Sequence, residues 1–466
     1  MSIDPQLSAK LSDAGETQLL EYLQSADSNV VAHLSKQLEA VDLQEIAATL
    51  EKKKEATSVP AQMDSPPAIR LDDAVPRIGE AEAIAAGEKL LSAGKVGALL
   101  VAGGQGTRLG FDHPKGMFPI GPVTDRTLFQ IFIEKLLARG NRYGKPIPLY
   151  LMTSPATHDE TVDFFAANDN FGLPESQLHI FCQGTMPAVD AETGKLLLAD
   201  PEHLALSPDG HGGTLAALVK NGCLADMQKR GLEEIYYFQV DNPLADVCEP
   251  LFLGYHLLSG SEMSTQVVAK RRPEEKVGVL VEVDGRLRLV EYSELSEELA
   301  AERDASGSLK YWAGNIAIHG INVAFLARMA ADAESLPWHL ASKKVPYCTF
   351  AGEQVAPESP NGIKFERFIF DLLPHAKNAI VVEISPATTF APVKNADGAP
   401  SDTPSAARAA LTAIYAEWLT AAGVSVESGI PIEISPLYAI DAEELKSKAE
   451  GLSPVVEPTV LGDLSE

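Results

Sequence analysis

The sequence predicts an α/β fold: a doubly wound sheet, preceded by a helical domain and followed by a small β-containing domain. Three observations predict it. Short continuous apolar runs, such as Val96-Gly-Ala-Leu-Leu-Val-Ala102, have the signature of strands buried on both faces. Such runs alternate with segments of helical periodicity, which is how a mostly parallel α/β sheet is written. The 466 residues are 45% apolar and 22% charged, enough to build a real core and about three domains of roughly 150 residues.

In chain order, residues 1 to about 60 repeat apolar positions at helical spacing: Leu19, Leu20, Leu23, then Val31, Leu34, Leu38, then Leu43, Ile46, Leu50. The charge run 51–55 reads as a solvated helix face, and 58–73, with Pro60, Pro66 and Pro67, as a linker. After Ala102 come a Gly-rich loop, a helix over 128–137, a strand over 147–152 and a helix over 157–167. A strand over 178–181, a helix over 214–229 and a strand over 235–240 follow. Residues 277–283 and 286–292 flank Asp284-Gly285 as a hairpin, an insertion of the kind that commonly faces a substrate. A polar segment, 395–405, leads into an Ala-rich helix over 406–421, and Val424, Ile430, Pro431 and Ile432 suggest a small β unit. The implied domains are 1–92 (helical), 93–395 (the α/β domain) and 396–466 (C-terminal).

Lys and Arg total 38 against 65 Asp and Glu, a formal charge of −27. No global field attracts nucleic acid or an anionic membrane, so neither is an expected partner, and a polyanionic ligand would need a few local cations. Cys182, Cys223, Cys248 and Cys348 form no CxxC pair, which argues against a zinc cage or disulfide framework and for reduced thiols. The N-terminus has no basic stretch followed by an apolar one, and no run reaches 18 apolar residues. A soluble, cytoplasmic protein is expected.

The loop that carries chemistry reads Ala102-Gly-Gly-Gln-Gly-Thr-Arg-Leu-Gly-Phe-Asp-His-Pro-Lys115. Its glycines let backbone N–H groups approach a phosphate without Cβ obstruction. A dinucleotide fingerprint fails at Leu109 or, one residue earlier, at Gln105, and the Gly-Lys-Ser/Thr of a P-loop is missing. What remains is GGxGTRLG followed by Pro-Lys, with Arg108 and Lys115 seven residues apart. A cation about 4 Å from a phosphate charge contributes roughly 4 kcal/mol at an effective dielectric near 20. A handful of such contacts holds a triphosphate even in an acidic protein.

The string VAGGQGTRLGFDHPKGMFPIG resembles the signature of the UDP-sugar pyrophosphorylases, closest to the eukaryotic-type UDP-N-acetylhexosamine pyrophosphorylases. The resemblance continues, in collinear order over about residues 75–410, at FCQGTMPAVD, SPDGHGG, VDNPLADVCEP, VEYSEL, AGNIAIH, NGIKFERFIFDLLP and FAPVKNADG. It implies a Rossmann-like nucleotidyltransferase core acting on UTP and a hexose 1-phosphate, with Mg²⁺ or another divalent cation.

The resemblance also implies roles. Val101, Ala102, Gly103 and Gly104 would contact the nucleotide through backbone, and Arg108 and Lys115 would hold its β- and γ-phosphates. Gln183 would pair with the uracil edge, Gly210 would let the base approach, and Asp241, at a strand end, would hold the metal. Gly278, Glu291, Tyr292 and Asn315 would meet the hexose. Lys394 matches the family's essential lysine near the reacting phosphates, with Lys343 a second candidate. The expected hexose phosphate is N-acetylglucosamine 1-phosphate, with glucose 1-phosphate or a broad range as alternatives, because His211 stands where N-acetylhexosamine enzymes carry Asn and glucose-type or broad-specificity relatives tend to carry His. No nucleophile–base pair is suggested by spacing, which suits direct in-line displacement driven by alignment and charge neutralisation. A silent UDP-sugar-binding regulator is the competing class, disfavoured because Arg108, Lys115, Asp241 and Lys394 are all present.

Overall fold

The computed structural model describes residues 3–54, 62–73, 78–332 and 336–462. Packing divides the chain into two compact units, one of residues 1–61, 183–216 and 334–371, the other of 62–182, 217–333 and 372–466. The three consecutive domains expected from the sequence are therefore cut differently. The reason is hydrophobic: the N-terminal helices bury Leu19, Leu23, Leu34, Leu38 and Ile46 in one cluster with Val189, Leu198, Ile363 and Phe365 from the two inserted segments. Those helices cover a face that their own short sequences could not close alone. Part of the 51–55 charge run and of the 58–73 linker lies outside the described residues.

In the second unit, among the described residues, ten strands share one sheet. They are β1 (Ala68–Ile69), β2 (Val96–Val101), β3 (Leu149–Thr153), β4 (Leu178–Cys182), β5 (Glu234–Gln239), β6 (Met263–Ala269), β7 (Val279–Val283), β8 (Arg286–Val290), β9 (Ala313–Asn322) and β10 (Ile380–Glu383). Their order is β1-β10-β6-β9-β5-β2-β3-β4, with β7 pairing β8 and touching β9 at Val279–Gly314. All of β3 and the first five residues of β2 are buried, as the apolar runs require. The sheet is mixed rather than wholly parallel: β9 runs antiparallel between β5 and β6. Alternation of side chains is the same in either direction, so the sequence pattern carries no sign of this.

Other elements also differ from expectation. The helix expected over 214–229 is two, Thr214–Lys220 and Cys223–Arg230, because Gly222 turns left-handed at φ 72°. The hairpin turns through Asp284 (φ 50°) and Gly285 (φ 72°), and Tyr292 lies beyond it, exposed. The described part of the linker is docked: β1 pairs β10, Asp64 bridges Glu282, and the Arg70 guanidinium lies 3.7 Å from the Trp312 ring centroid. The Ala-rich helix runs Pro404–Ala421 and the C-terminal β unit pairs Ile432–Ile434 with Thr459–Leu461.

A buried ionic anchor joins that β unit to the turn before helix Leu128–Tyr143. Arg126 reaches Glu134 at 3.1 Å and Glu433 at 2.7 Å, with all three side chains almost fully buried. Burial opposes ionisation of Glu433, but the Thr124 hydroxyl and the Thr124 and Val123 amides hold its carboxyl below the usual range. Arg126→Met strands two buried carboxylates and should cost about 3–5 kcal/mol of stability, read as a lowered urea midpoint.

Candidate functional site

Strand order reverses at β2, whose neighbours are β3 on one side and β5 on the other. In an open α/β sheet the crevice at the carboxyl ends of such strands is where ligands are received. The Gly-rich loop follows β2 and Asp241 follows β5, so both lie at that edge. β9, antiparallel, starts there too and brings Asn315 with it.

The loop folds on itself through Gly106 N–H to the His113 carbonyl (2.9 Å) and Lys115 N–H to the Gly104 carbonyl (3.0 Å). Its glycines have different reasons. A Cβ on Gly106 would stand 2.7 Å from the Phe111 oxygen, and Gly110 needs φ +71°, so both serve the loop itself. A Cβ on Gly104 meets nothing within 4 Å, and its φ is not in the left-handed range. Neither packing nor backbone conformation calls for glycine there, which leaves room for a ligand. Buried Ser154, after β3, donates to the Gly103 carbonyl at 2.7 Å. In a trans peptide the Gly104 N–H then points away from Ser154. Gly104→Val should leave the fold intact and weaken nucleotide binding by about 10- to 100-fold, as overpacking at a ligand surface does; titration calorimetry checks it.

Charged groups converge beside the loop. Burial lowers the Lys115 pKa from that of an ordinary lysine; Asp241 opposes this, Lys394 and Arg108 add to it, and Asp402 opposes it again. Three cations and two carboxylates thus share one electrostatic neighbourhood. Arg108 and Lys394 are exposed and Asp241 and Asp402 half-buried. Backbone bonds hold the segments together: Val393 N–H to the Asp241 carbonyl (2.8 Å), Ala396 N–H to the Arg108 carbonyl (3.1 Å) and Lys394 N–H to the Asp402 carbonyl (2.7 Å). Val101 and Ala102 supply the strand end, the latter donating to the Met152 carbonyl at 2.8 Å.

A second group forms where β7, β8 and β9 meet. Asn315 N–H donates to the Gly278 carbonyl at 2.9 Å, and a Cβ on Gly278 would stand 3.3 Å from Glu291 Oε1. Pairing of β6 with β9 shifts register between Gln266 and Val267, opposite Ile318 and Asn315, a bulge that leaves Ala317 at φ 57°. The Asn315 Oδ1 accepts the Ala317 N–H at 3.0 Å and steadies it. Bulges re-aim side chains next to functional sites. Gly278, Glu291 and Asn315 are therefore brought together.

In the first unit, Gln183 Nε2 lies 3.4 Å from Asp209 Oδ1. Gly210 has φ +81°, and a Cβ there would stand 2.5 Å from the Arg367 carbonyl oxygen, so the fold itself demands this glycine. His211 accepts the Ile369 N–H on Nδ1 at 3.2 Å and stacks against Phe368. Burial, with a smaller contribution from His339, pushes its pKa down to about 4. The ring is neutral at pH 7, and with Nδ1 accepting, Nε2–H is its donor.

Lys343 is exposed on strand His339–Lys343, which pairs antiparallel with Gly362–Glu366. In that register Lys364 shares a face with Glu366, whose Cβ lies 3.1 Å from a Cβ built on Gly210. Lys364 is thus the cation nearer the Gly210 turn, and sequence reasoning missed it because register is not written locally. Asp402 and Ser154 were given no role from the sequence, although Met152-Thr-Ser154 ends a strand at the edge where ligands are received. Among the described residues no cluster of three His, Cys, Asp or Glu could cage a metal alone.

Comparison with known proteins finds relatives over most of the chain. The profile of a family described as UTP–glucose-1-phosphate uridylyltransferase matches residues 43–406. A UDP-N-acetylhexosamine pyrophosphorylase-like protein 1 of Xenopus tropicalis is 37% identical, covering 93% of this chain and 92% of its own. The Saccharomyces cerevisiae UDP-N-acetylglucosamine pyrophosphorylase is 38% identical over 77% of each chain. The crystal structure of the Trypanosoma brucei uridine diphosphate N-acetylglucosamine pyrophosphorylase, in complex with inhibitor, superposes with a TM-score of 0.84 at 29% identity, covering 100% of this chain and 99% of that one.

Proposed function

The chain belongs to the UTP–glucose-1-phosphate uridylyltransferase family, and from that premise we propose that the sugar phosphate it joins to UTP is N-acetylglucosamine 1-phosphate. The class of reaction is that of the family: a nucleotidyltransferase takes UTP and a sugar 1-phosphate and gives a UDP-sugar and pyrophosphate. The choice of sugar is supported by relatives named for N-acetylglucosamine at 35–38% identity over at least 77% of this chain.

The observation that carries the mechanism is the electrostatic convergence of Lys115, Arg108, Lys394 and Asp241 at the switch-point edge. A phosphate oxygen of the sugar phosphate attacks the α-phosphorus of UTP, and the bond to the β-phosphate breaks in line. The attacking oxygen is already anionic, so no strong base is needed. Lys115 and Arg108 bind the β- and γ-phosphates and neutralise charge growing on pyrophosphate, while Lys394 reduces repulsion between the two anionic reactants. Asp241 is the carboxylate to hold Mg²⁺: one or two carboxylates plus phosphate oxygens and waters is its usual donor set, and half-buried Asp241 and Asp402 fit that better than a closed cage would. Held there, such a cation would neutralise charge on the triphosphate.

Gln183 reads uracil. A carboxylate only accepts, so the amide nitrogen faces Asp209 and Oε1 is left for the N3–H of the base. Gly278, Glu291 and Asn315 bind the hexose hydroxyls. The His211 Nε2–H donor suits an acceptor oxygen of the C2 substituent, whether the hydroxyl borne on C2 or the carbonyl of an acetamido group attached there through nitrogen. Lys343 stays exposed at the far end of its strand, and Lys364 lies nearer the Gly210 turn. A cytosolic site of action fits four cysteines of which none is in a disulfide, and among the described residues no helix is long and apolar enough to cross a membrane.

The test is pyrophosphate release from UTP with the 1-phosphates of N-acetylglucosamine, N-acetylgalactosamine, glucose and galactose. N-acetylglucosamine 1-phosphate should give the highest kcat/KM; a clear preference for glucose 1-phosphate overturns the sugar assignment. His211→Asn should change the ratio of acetamido to hydroxyl sugars by about tenfold, the size of one hydrogen-bond difference. An unchanged ratio removes His211 from the sugar subsite.

A further inference from the structure

Asn242, one residue beyond Asp241, touches none of the groups given a chemical task above, yet both ends of its amide are spent on a distant segment. The residue is buried at 4% exposure. Its Nδ2 donates to the Thr389 carbonyl at 2.8 Å, and its Oδ1 accepts the Ala391 N–H at 3.0 Å. The neighbouring Asp241 carbonyl accepts the Val393 N–H at 2.8 Å. Three bonds therefore tie residues 389–393 to the turn after β5, in the manner of a short β-bridge in which one peptide has been replaced by a side-chain amide. Just past Lys394, the Ala396 N–H is bound to the Arg108 carbonyl at 3.1 Å. Lys394 is bracketed between an attachment to the Asp241 turn and an attachment to the Gly-rich loop.

The turn itself is held from below. Half-buried Lys135 donates to the Pro243 and Ala245 carbonyls at 2.7 and 2.8 Å, and desolvation pushes its pKa down to about 8. The Arg139 guanidinium reaches Asp246 and the Val247 carbonyl. Asn242 thus projects from a fixed platform, and the segment it grips takes its position from that platform.

We propose that Asn242 is a positioning residue, whose amide sets the register between Asp241 and Lys394 and so fixes how the two face the same phosphates. This rests on the reading of Asp241 and Lys394 given above. Only a carboxamide meets the requirement: it offers one donor and one acceptor to the same strand without adding charge beside Asp241. Asp would lose the donor, and Leu would leave a buried carbonyl and N–H unpaired.

The experiment is a double-mutant cycle in the full-length protein. Asn242→Ala should lower kcat by about 10- to 100-fold, the usual effect of losing a group that orients a ligand-holding one, with the KM for UTP changed by less than about twofold. In a Lys394→Ala background the same substitution should cause no further loss, because the group it positions is gone. Independent, multiplying losses, or a rise in KM with kcat unchanged, overturn the proposal. Asn242→Asp, which keeps the shape and the Ala391 bond but loses the donor to Thr389 and adds charge beside Asp241, should show a loss of kcat at least as large, and again no further loss in the Lys394→Ala background, if Asn242→Ala folds poorly. Misfolding of both variants makes Asn242 a plain fold residue and overturns it too. Full turnover in Lys394→Ala alone would instead contradict the underlying site reading, so the two failures are distinct.

Discussion

Lys394→Ala is expected to fold as the unsubstituted protein does and to lose about 10²- to 10³-fold in kcat, the effect of removing one preorganised donor from a developing charge. Folding should survive because Lys394 is exposed and its structural bond, to the Asp402 carbonyl, comes from its backbone N–H. The side chain is spent on electrostatics instead: its charge is felt at Lys115, which is itself half-buried and desolvated. Two cations so placed repel each other, a cost that Asp241 and Asp402 offset in part and a bound phosphate would offset further. The loss should fall mainly on kcat, since the contact matters most when two phosphates are forced together. Pyrophosphate release at saturating UTP, with the melting temperature as control, checks it. Near-normal turnover would remove Lys394 from the reaction.

Asp241→Asn should be as damaging, for a different reason. The substitution keeps shape, and the Asp241 carbonyl that accepts Val393 N–H is untouched. What disappears is the carboxylate assigned to the divalent cation. Activity should drop by about 10² or more, and half-saturation by Mg²⁺ should move to higher concentration by tenfold or more, as with a lost ligand or its support. Variation of free Mg²⁺ at fixed UTP measures both. An unchanged Mg²⁺ dependence would assign the metal to other groups, Asp402 being the nearest candidate.

Much of this site could be read in the sequence because its parts are local. The Gly-rich loop is contiguous, and a carboxylate straight after a buried strand falls at the ligand edge of any such sheet. The family resemblance assigns Gly104 to the nucleotide, but the residues alone do not separate it from Gly106 and Gly110, since all three look alike until the φ angles and neighbours are known. Register was equally hidden. Lys343 and Lys364 both lie in strands of similar character, and only the pairing of Ala341 with Lys364 and of His339 with Glu366 shows which is nearer Gly210. The antiparallel insertion of β9 left no local trace, and the helix break at Gly222 was overlooked because the apolar period continues across it. The packing of the N-terminal helices with 183–216 and 334–371 depends on contacts hundreds of residues apart, which no window along the chain can reveal.

The central claim, that a few cations on the carboxyl edge of an acidic protein's sheet bind a uridine triphosphate, is tested most directly by titrating UTP into the folded protein with Mg²⁺ present. The account predicts a saturable one-site heat, weakened about tenfold or more in Lys115→Ala and falling with added salt. No heat with well-folded material, or the same affinity in Lys115→Ala, would contradict it.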